Sequence, residues 1–585
     1  MTFISTICLA LALTAIGNWL LCKALVDWRA SPVTLRLGAA YFTGAALHII
    51  LLALYLNIFA ANGLGRAGWE SIFLLLAASC ILLSDSVRLR GIAQKSSAFI
   101  LSKDGLAAAA LAAIATLVLL ALLLPAGTAS GPFAMIGSLH SPRYASIAEF
   151  VARCDYLPRL GQNVGQSLLA FSSMAISGRE QPYVALFAWL LVSLTAFAMF
   201  IHGLISLYVI SPQRRILGTF IVMLGNTALS LVHVLVIDSG SPPILSGYSD
   251  PLTGTAVAIL LLIFQSQWRK GTVTLWIGPI SAGMIAACCL SAPQTIVVAG
   301  AWIAAAGGVS FLKRWKIPSA VVTSGVALAL GLLIGVPQGG MLAPKAWTSG
   351  VQLPGIMTVQ NADVAGDKRG VAIKPYLPFH VGDTDRWIMD KSLFNARERV
   401  KQNGGPTALW FTEQLLMTAL RVLFFPALGI AALYWVREAA PERIVPGDDL
   451  VLPSLNLANA ASIALGVGFL LAFSIELNGY KWELVRFLIP GIILGMLCFA
   501  VSFCALLERP QTSANFVAAV KVLLAIMFAG PSINIILTAS QSIQTLSVET
   551  LASRWKAFVG KPSLDAGICH TPRAAGADIS IPDHA

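Results

Sequence analysis

The chain has 585 residues, 57% of them hydrophobic and only 11% charged, with a mean hydropathy of +0.79. Soluble globular domains carry about 25% charged residues, so a water-soluble enzyme is excluded and an integral membrane protein is expected. The net charge of +12 does not point to nucleic acid, because Lys and Arg are scattered through short connectors rather than gathered in one basic domain.

An apolar run at 4–26 opens the chain with no basic residue before it. It lacks the charged leader of a secretory signal and reads as a first membrane helix. Further apolar runs lie at 38–61, 69–85, 105–126, 183–210, 216–237, 253–267, 272–290, 294–312, 318–336, 409–436, 456–476, 484–507 and 514–538. Crossing a hydrocarbon core takes roughly 20 helical residues, so these make about fourteen spans. No alternating β-barrel pattern appears between them. The expected fold is all-α, a polytopic transmembrane helical bundle. The run at 253–267 is short, and the two runs beside Pro293 have almost no connector, which makes one of these crossings a candidate re-entrant segment.

Lys and Arg in short loops mark the cytoplasmic side. Alternate connectors are basic, with Arg29 and Arg36, Arg88 to Lys103, Arg214 and Arg215, Arg269 and Lys270, Lys313 to Lys316, Arg437 and Arg443, and Arg509. The N-terminus, both long polar loops (127–182 and 337–408) and the tail 539–585 are therefore expected on the extracytoplasmic face. Loops longer than about 15 residues usually have a job or are disordered, so two on one face suggest a shared outer site. In the tail, VETLASRWKAFVG suits a short amphipathic helix at the membrane surface, followed by a loosely ordered Ala-Gly-Ser-Pro stretch.

The first loop concentrates His140, Arg143, Tyr144, Glu149, Arg153, Asp155, Arg159, Gln162, Asn163 and Gln166. SPRYASIAEFVARC reads as an interfacial helix. Glu149 and Arg153 are spaced i, i+4, so an exposed ion pair of ~0.3 to 0.5 kcal/mol accounts for them as well as function does. In DYLPRLGQNVGQS, Pro158, Gly161 and Gly165 favour turns, and the amides with Arg159 suit hydroxyls or phosphate oxygens. The second loop carries His380, Asp383, Asp385, Arg386 and Asp390, then a basic run to Lys401. The aspartates leave a divalent cation open, whereas the Arg forks, Arg386 among them, match phosphate better; solvated helix charge explains the run equally. In SIELNGYKWELVRFLIPG, Glu476, Lys481, Glu483 and Arg486 form either an ion-pair cluster or a site. Arg486 lies deepest in the apolar run and is the leading candidate for holding a lipid-linked phosphate. Asp250, in DSGSPPILSGYSDP, is explained by helix capping and is also a candidate substrate contact. Seven of the nine cysteines fall in apolar runs and carry no metal spacing. Only Cys154 and Cys569 lie in polar segments, where a disulfide between them is one option.

These loops resemble those of GT-C-type integral-membrane glycosyltransferases, bacterial enzymes that move a sugar from a polyprenyl-phosphate carrier to an acceptor on the outer face. SPRYASIAEFVARCDYLPRLGQNVGQSLL is similar to the first-loop pattern of that family, and GYSDPLTG and YKWELVRFLIPG to later segments. The resemblance implies N-terminal helices at 1–104, a GT-C-like core at 105–338, a large outer loop at 339–408, further helices at 409–538 and an outer tail at 539–585. It implies Asp155, Glu149 or His140 as the base that activates an acceptor hydroxyl. Arg486, Arg386, Arg159 and Lys481 would hold the donor phosphate, and Tyr144, Asn163, Gln166 and Asp250 would contact substrate. The chain departs from the family at GSLHSPRY, where an acid is usual.

The partners expected are a lipid-linked sugar donor, a glycan, lipid or protein acceptor, and membrane lipids, with no nucleic acid; no resident metal is assigned. The setting expected is a bacterial inner membrane. A glycan polymerase or ligase of another fold is one alternative. A transporter or flippase is another, for which His48, His202, His233 and Arg421 are the ionisable residues within spans.

Overall fold

The computed structural model describes residues 1–84, 141–157, 164–223, 250–339, 371–373, 423–439, 454–477 and 488–508, apart from 27, 61, 62, 67, 156, 315 and 316, with a few positions between 515 and 522. These residues are almost wholly helical. Helices α1 (Thr2–Ala24), α2 (Val33–Ile58) and α3 (Trp69–Ser84) open the chain, and α4 (Ser141–Cys154) and α5 (Gly165–Ser177) belong to the first long loop. They are followed by α6 (Pro182–Ser206), α7 (Asp250–Lys270), α8 (Ile277–Ser291), α9 (Pro293–Arg314) and α10 (Ser319–Gly335). The last described helices are α11 (Phe424–Ala439), α12 (Ser454–Ser474) and α13 (Ile489–Glu508).

Among the described residues, α1, α2, α6, α9, α10 and α13 are long and apolar enough to cross a membrane, and five shorter apolar helices accompany them. The chain is therefore a membrane-embedded helical bundle. Helices suit lipid because each satisfies its own backbone polar groups, and these are apolar around their circumference. Of the expected spans, 105–126 and most of 216–237 and 514–538 lie outside the described residues. The run at 253–267 sits within α7, which has 21 residues and is about 31 Å long. The runs beside Pro293 form two helices, because Ala292 is the whole joint between α8 and α9 and Pro fits the first turn of a helix.

Small residues bring the backbones together. A Cβ added at Gly17 of α1 would overlap the Ala40 carbonyl of α2, one at Gly203 of α6 the Leu35 backbone, and one at Gly335 the Ala286 backbone of α8. Lipid supplies no hydrophobic drive for helix pairing, so close approach of this kind carries the packing.

The two ends of the bundle differ. At one end, α1 hands on to the connector before α8, with Thr274 N donating to Ala24 O (2.9 Å) and Val26 N to Thr272 O (3.2 Å). On the same side, Ile210 N and Ser211 N donate to Glu508 Oε1 at 2.9 and 2.7 Å. The basic connectors around Arg29, Arg214, Arg269 and Lys313 thus share an end. At the other end, Thr2 Oγ1 donates to Gln181 Oε1 (3.0 Å), Asn57 Nδ2 to Gln338 O (2.9 Å) and Val164 N to Leu290 O (2.7 Å). The described helices of the first loop, α4 and α5, sit there. So does the only departure from helix that forms a sheet among the described residues. Strands β1 (Val371–Ile373) and β2 (Ile475–Leu477) pair antiparallel, with Ala372 opposite Glu476. The sequence pattern did not announce this ribbon, and it ties the second long loop to the segment that leads into GYKWELVR.

Candidate functional site

The loop-bearing end is capped by polar groups built on α4. Tyr144, Ile147, Ala148 and Val151 recur at helical spacing and are all buried, giving α4 an inward face that packs on α5 and α6. Glu149 follows that face inward and is 0% exposed. Its carboxylate pairs with Arg153 one turn on, and Arg153 also reaches Glu180 Oε2 at 3.1 Å, just before α6. Tyr183, in the first turn of α6, lies within electrostatic reach of Glu149. The Glu149–Arg153 pair expected on a helix surface is thus formed, but inside. Burial raises the stakes of the pair, because a carboxylate in low dielectric depends on its partner far more than an exposed one does.

α4 ends at Asp155, whose amide still donates to Val151 O (3.2 Å) while its backbone turns to φ 58°. Asp tolerates this left-handed region better than most residues, at some cost in strain, and such outliers cluster at functional sites. Asp155 is half-exposed, and both it and Glu70 lie within electrostatic reach of Tyr55. Glu70 is itself held, accepting from Gly68 N (2.7 Å) and Ser71 Oγ (2.8 Å). Leu157, just beyond Asp155, approaches Gly339, so the first long loop and the start of the second meet at this place. Cys154 is disulfide-bonded, while the seven cysteines of the apolar runs are free thiols; Cys569 lies outside the described residues.

The predicted residues separate into three groups. Glu149, Tyr144 and Gln166 are buried in the cap, the last within α5. Asp155 stands at its edge, and Asp250 is the first residue of α7. His140, Arg159, Asn163, Arg386, Lys481 and Arg486 lie outside the described residues, as do Asp383 and Asp385. Full burial means that Glu149 as placed does not face an incoming hydroxyl, and among the described candidate bases Asp155 is the one with exposed surface. Sequence reading missed Glu180, Glu70, Tyr55 and Asn57. The signal was present for Glu180, a charge two residues before the helix-opening Pro182, but Tyr55 and Asn57 read simply as the end of an apolar run.

The two described histidines within spans, His48 and His202, bond to neighbouring helices. Ser172 Oγ donates to Leu168 O (3.1 Å), which leaves it to accept from His48 Nε2 at 2.9 Å. His202 Nδ1 meets Thr34 Oγ1 at 3.1 Å. These bonds join α2 to α5 and α6, alongside Tyr41 with Ser193 (2.8 Å) and Trp189 Nε1 donating to Ser173 (2.9 Å). His233 and Arg421 lie outside the described residues. Among the described residues no cluster of His, Cys, Asp and Glu is placed to hold a metal ion.

The chain matches no family model, no curated protein and no solved structure.

Proposed function

We propose that the chain is a membrane glycosyltransferase-like enzyme of GT-C type that transfers a sugar from a polyprenyl-phosphate donor to an envelope glycan, lipid or protein acceptor. The reaction takes place at the loop-bearing end of the bundle, on the extracytoplasmic face of a bacterial inner membrane, with the basic connectors facing the cytoplasm. Asp155 is the base that takes the acceptor's hydroxyl proton. Arg486 and Arg386, helped by Arg159 and Lys481, hold the donor phosphate, and Asn163 contacts sugar hydroxyls. Glu149 and Arg153 position α4 so that Asp155 faces the loops.

The observation that carries this reading is Asp155 itself: a half-exposed acid in a left-handed conformation, where the two long loops meet. The inter-helix bonding of His48 and His202 favours an enzyme over a proton-coupled carrier, which needs ionisable groups in a cavity.

The test is transfer by purified protein supplied with polyprenyl-phosphate sugars. Removing a general base costs about 10²- to 10⁴-fold, so Asp155→Asn should lose turnover on that scale while keeping its thermal stability. Unchanged turnover in Asp155→Asn would sink the assignment of the base, and no transfer by the wild-type chain with any such donor would sink the enzyme reading.

A further inference from the structure

At the opposite end of the bundle, α7 to α10 enclose a cavity of about 40 Å³. A water needs roughly 10 to 15 Å³ of such space, so the cavity takes about three waters or a short length of hydrocarbon. Its lining is graded along the membrane normal. Towards the connectors its polar lining, Gln265, Ser281, Thr323 and Ser324, is interleaved with Trp268, Ile277 and Ala320. About 5 to 10 Å deeper along the helices, at 1.5 Å per residue, it is apolar, with Ala258, Ile285, Val298 and Ala327. Trp302 also lines it.

Gln265 is 3% exposed, and its Nε2 has no hydrogen-bond partner among the described residues. A buried amide donor left unpaired is costly, and the residue that carries it lines this cavity. Around that end lie Arg269, Lys270, Lys313 and Arg314, of which Lys313 is exposed. The cavity also lies beside lipid-facing surface. The spans of α9 and α10 are each only 28% buried, against 94% for α13, and Val309, Leu312, Val322 and Leu333 are exposed along them.

We infer that this cavity binds an anionic glycerophospholipid. An acyl chain enters the apolar floor beside Trp302, an ester carbonyl accepts from Gln265 Nε2, and the headgroup lies at Lys313 and its basic neighbours. An ester acceptor between an apolar floor and a cationic rim fits the unpaired amide, the apolar lining and the basic connectors together, and basic pockets between membrane helices suit such headgroups. The site is independent of the proposed sugar transfer.

The test is native mass spectrometry of delipidated full-length protein titrated with dioleoyl phosphatidylglycerol or dioleoyl phosphatidylcholine. The anionic phosphatidylglycerol should bind more tightly than the zwitterionic phosphatidylcholine. Gln265→Leu should weaken it about fivefold, the effect of one lost hydrogen bond, and Ala327→Phe, which fills the floor, should weaken it at least as much. A phosphatidylglycerol with a photoreactive acyl chain, applied to the unaltered protein, should label peptides of α9 and α10 around Trp302. Equal binding of the two lipids, affinity unchanged in both variants, or labelling spread over all outer helix faces would each overturn the proposal.

Discussion

At the loop-bearing end of the bundle, Glu149 is fully buried and answered by Arg153, which in turn reaches Glu180. At the basic end, Gln265 is almost as buried, yet its Nε2 is answered by nothing among the described residues. The first end uses a buried charge, paired to Arg153 and through it to Glu180, to hold α4 in place. The second keeps a donor beside empty space, which is how a binding site differs from a structural cluster.

Substitutions sharpen that contrast. The largest expected effect is at Arg153. Replacing it with Ala leaves the buried Glu149 carboxylate without this partner and should destabilise the detergent-solubilised protein by roughly 3 kcal/mol, the lower end for a broken buried pair, read as a fall in the thermal unfolding midpoint. Glu149→Gln removes the charge instead of stranding it, so a smaller loss of about 1 kcal/mol is expected. If the two variants lost equal stability, the cluster would not be acting as a buried ion pair.

Asp155→Gly should go the other way. It relieves the left-handed backbone strain and should add about 0.5 kcal/mol or more of stability, while abolishing transfer if Asp155 is the base. A gain in stability with activity retained would make the turn merely structural. The smallest effect is expected at Gln265. In lipid-free detergent, Gln265→Leu should leave stability within about 0.5 kcal/mol of the parent or raise it slightly, because it removes an unpaired buried donor. A loss of several degrees in the unfolding midpoint would mean that the amide is already satisfied within the fold.

The membrane helices were legible because their residues are apolar on every side, a pattern that leaves few alternatives in a chain this hydrophobic. The helix at 141–154 was legible from its periodic apolar residues. What periodicity did not give was the direction of Glu149, since a charged residue next to an apolar face is assigned outward unless its partner is known, and Glu180 lies far along the chain. The ribbon of Val371–Ile373 with Ile475–Leu477 depends on two segments about a hundred residues apart, beyond any local pattern. Gln265 sat unnoticed in LLLIFQSQWRK, because a single amide in an apolar run gains meaning only when neighbouring helices leave space beside it. The candidate site was legible at one edge, in Asp155, while most of its proposed phosphate ligands lie outside the described residues.

The claim on which the rest depends is that these two chemically different ends lie on opposite sides of the membrane. In a cysteine-depleted background, Arg179→Cys marks the loop-bearing end and Gln213→Cys the basic end, both at exposed positions. With a membrane-impermeant maleimide applied to intact cells, Arg179→Cys should label at once and Gln213→Cys only after lysis. Labelling of Gln213→Cys in intact cells, or of both positions only after lysis, would contradict the account.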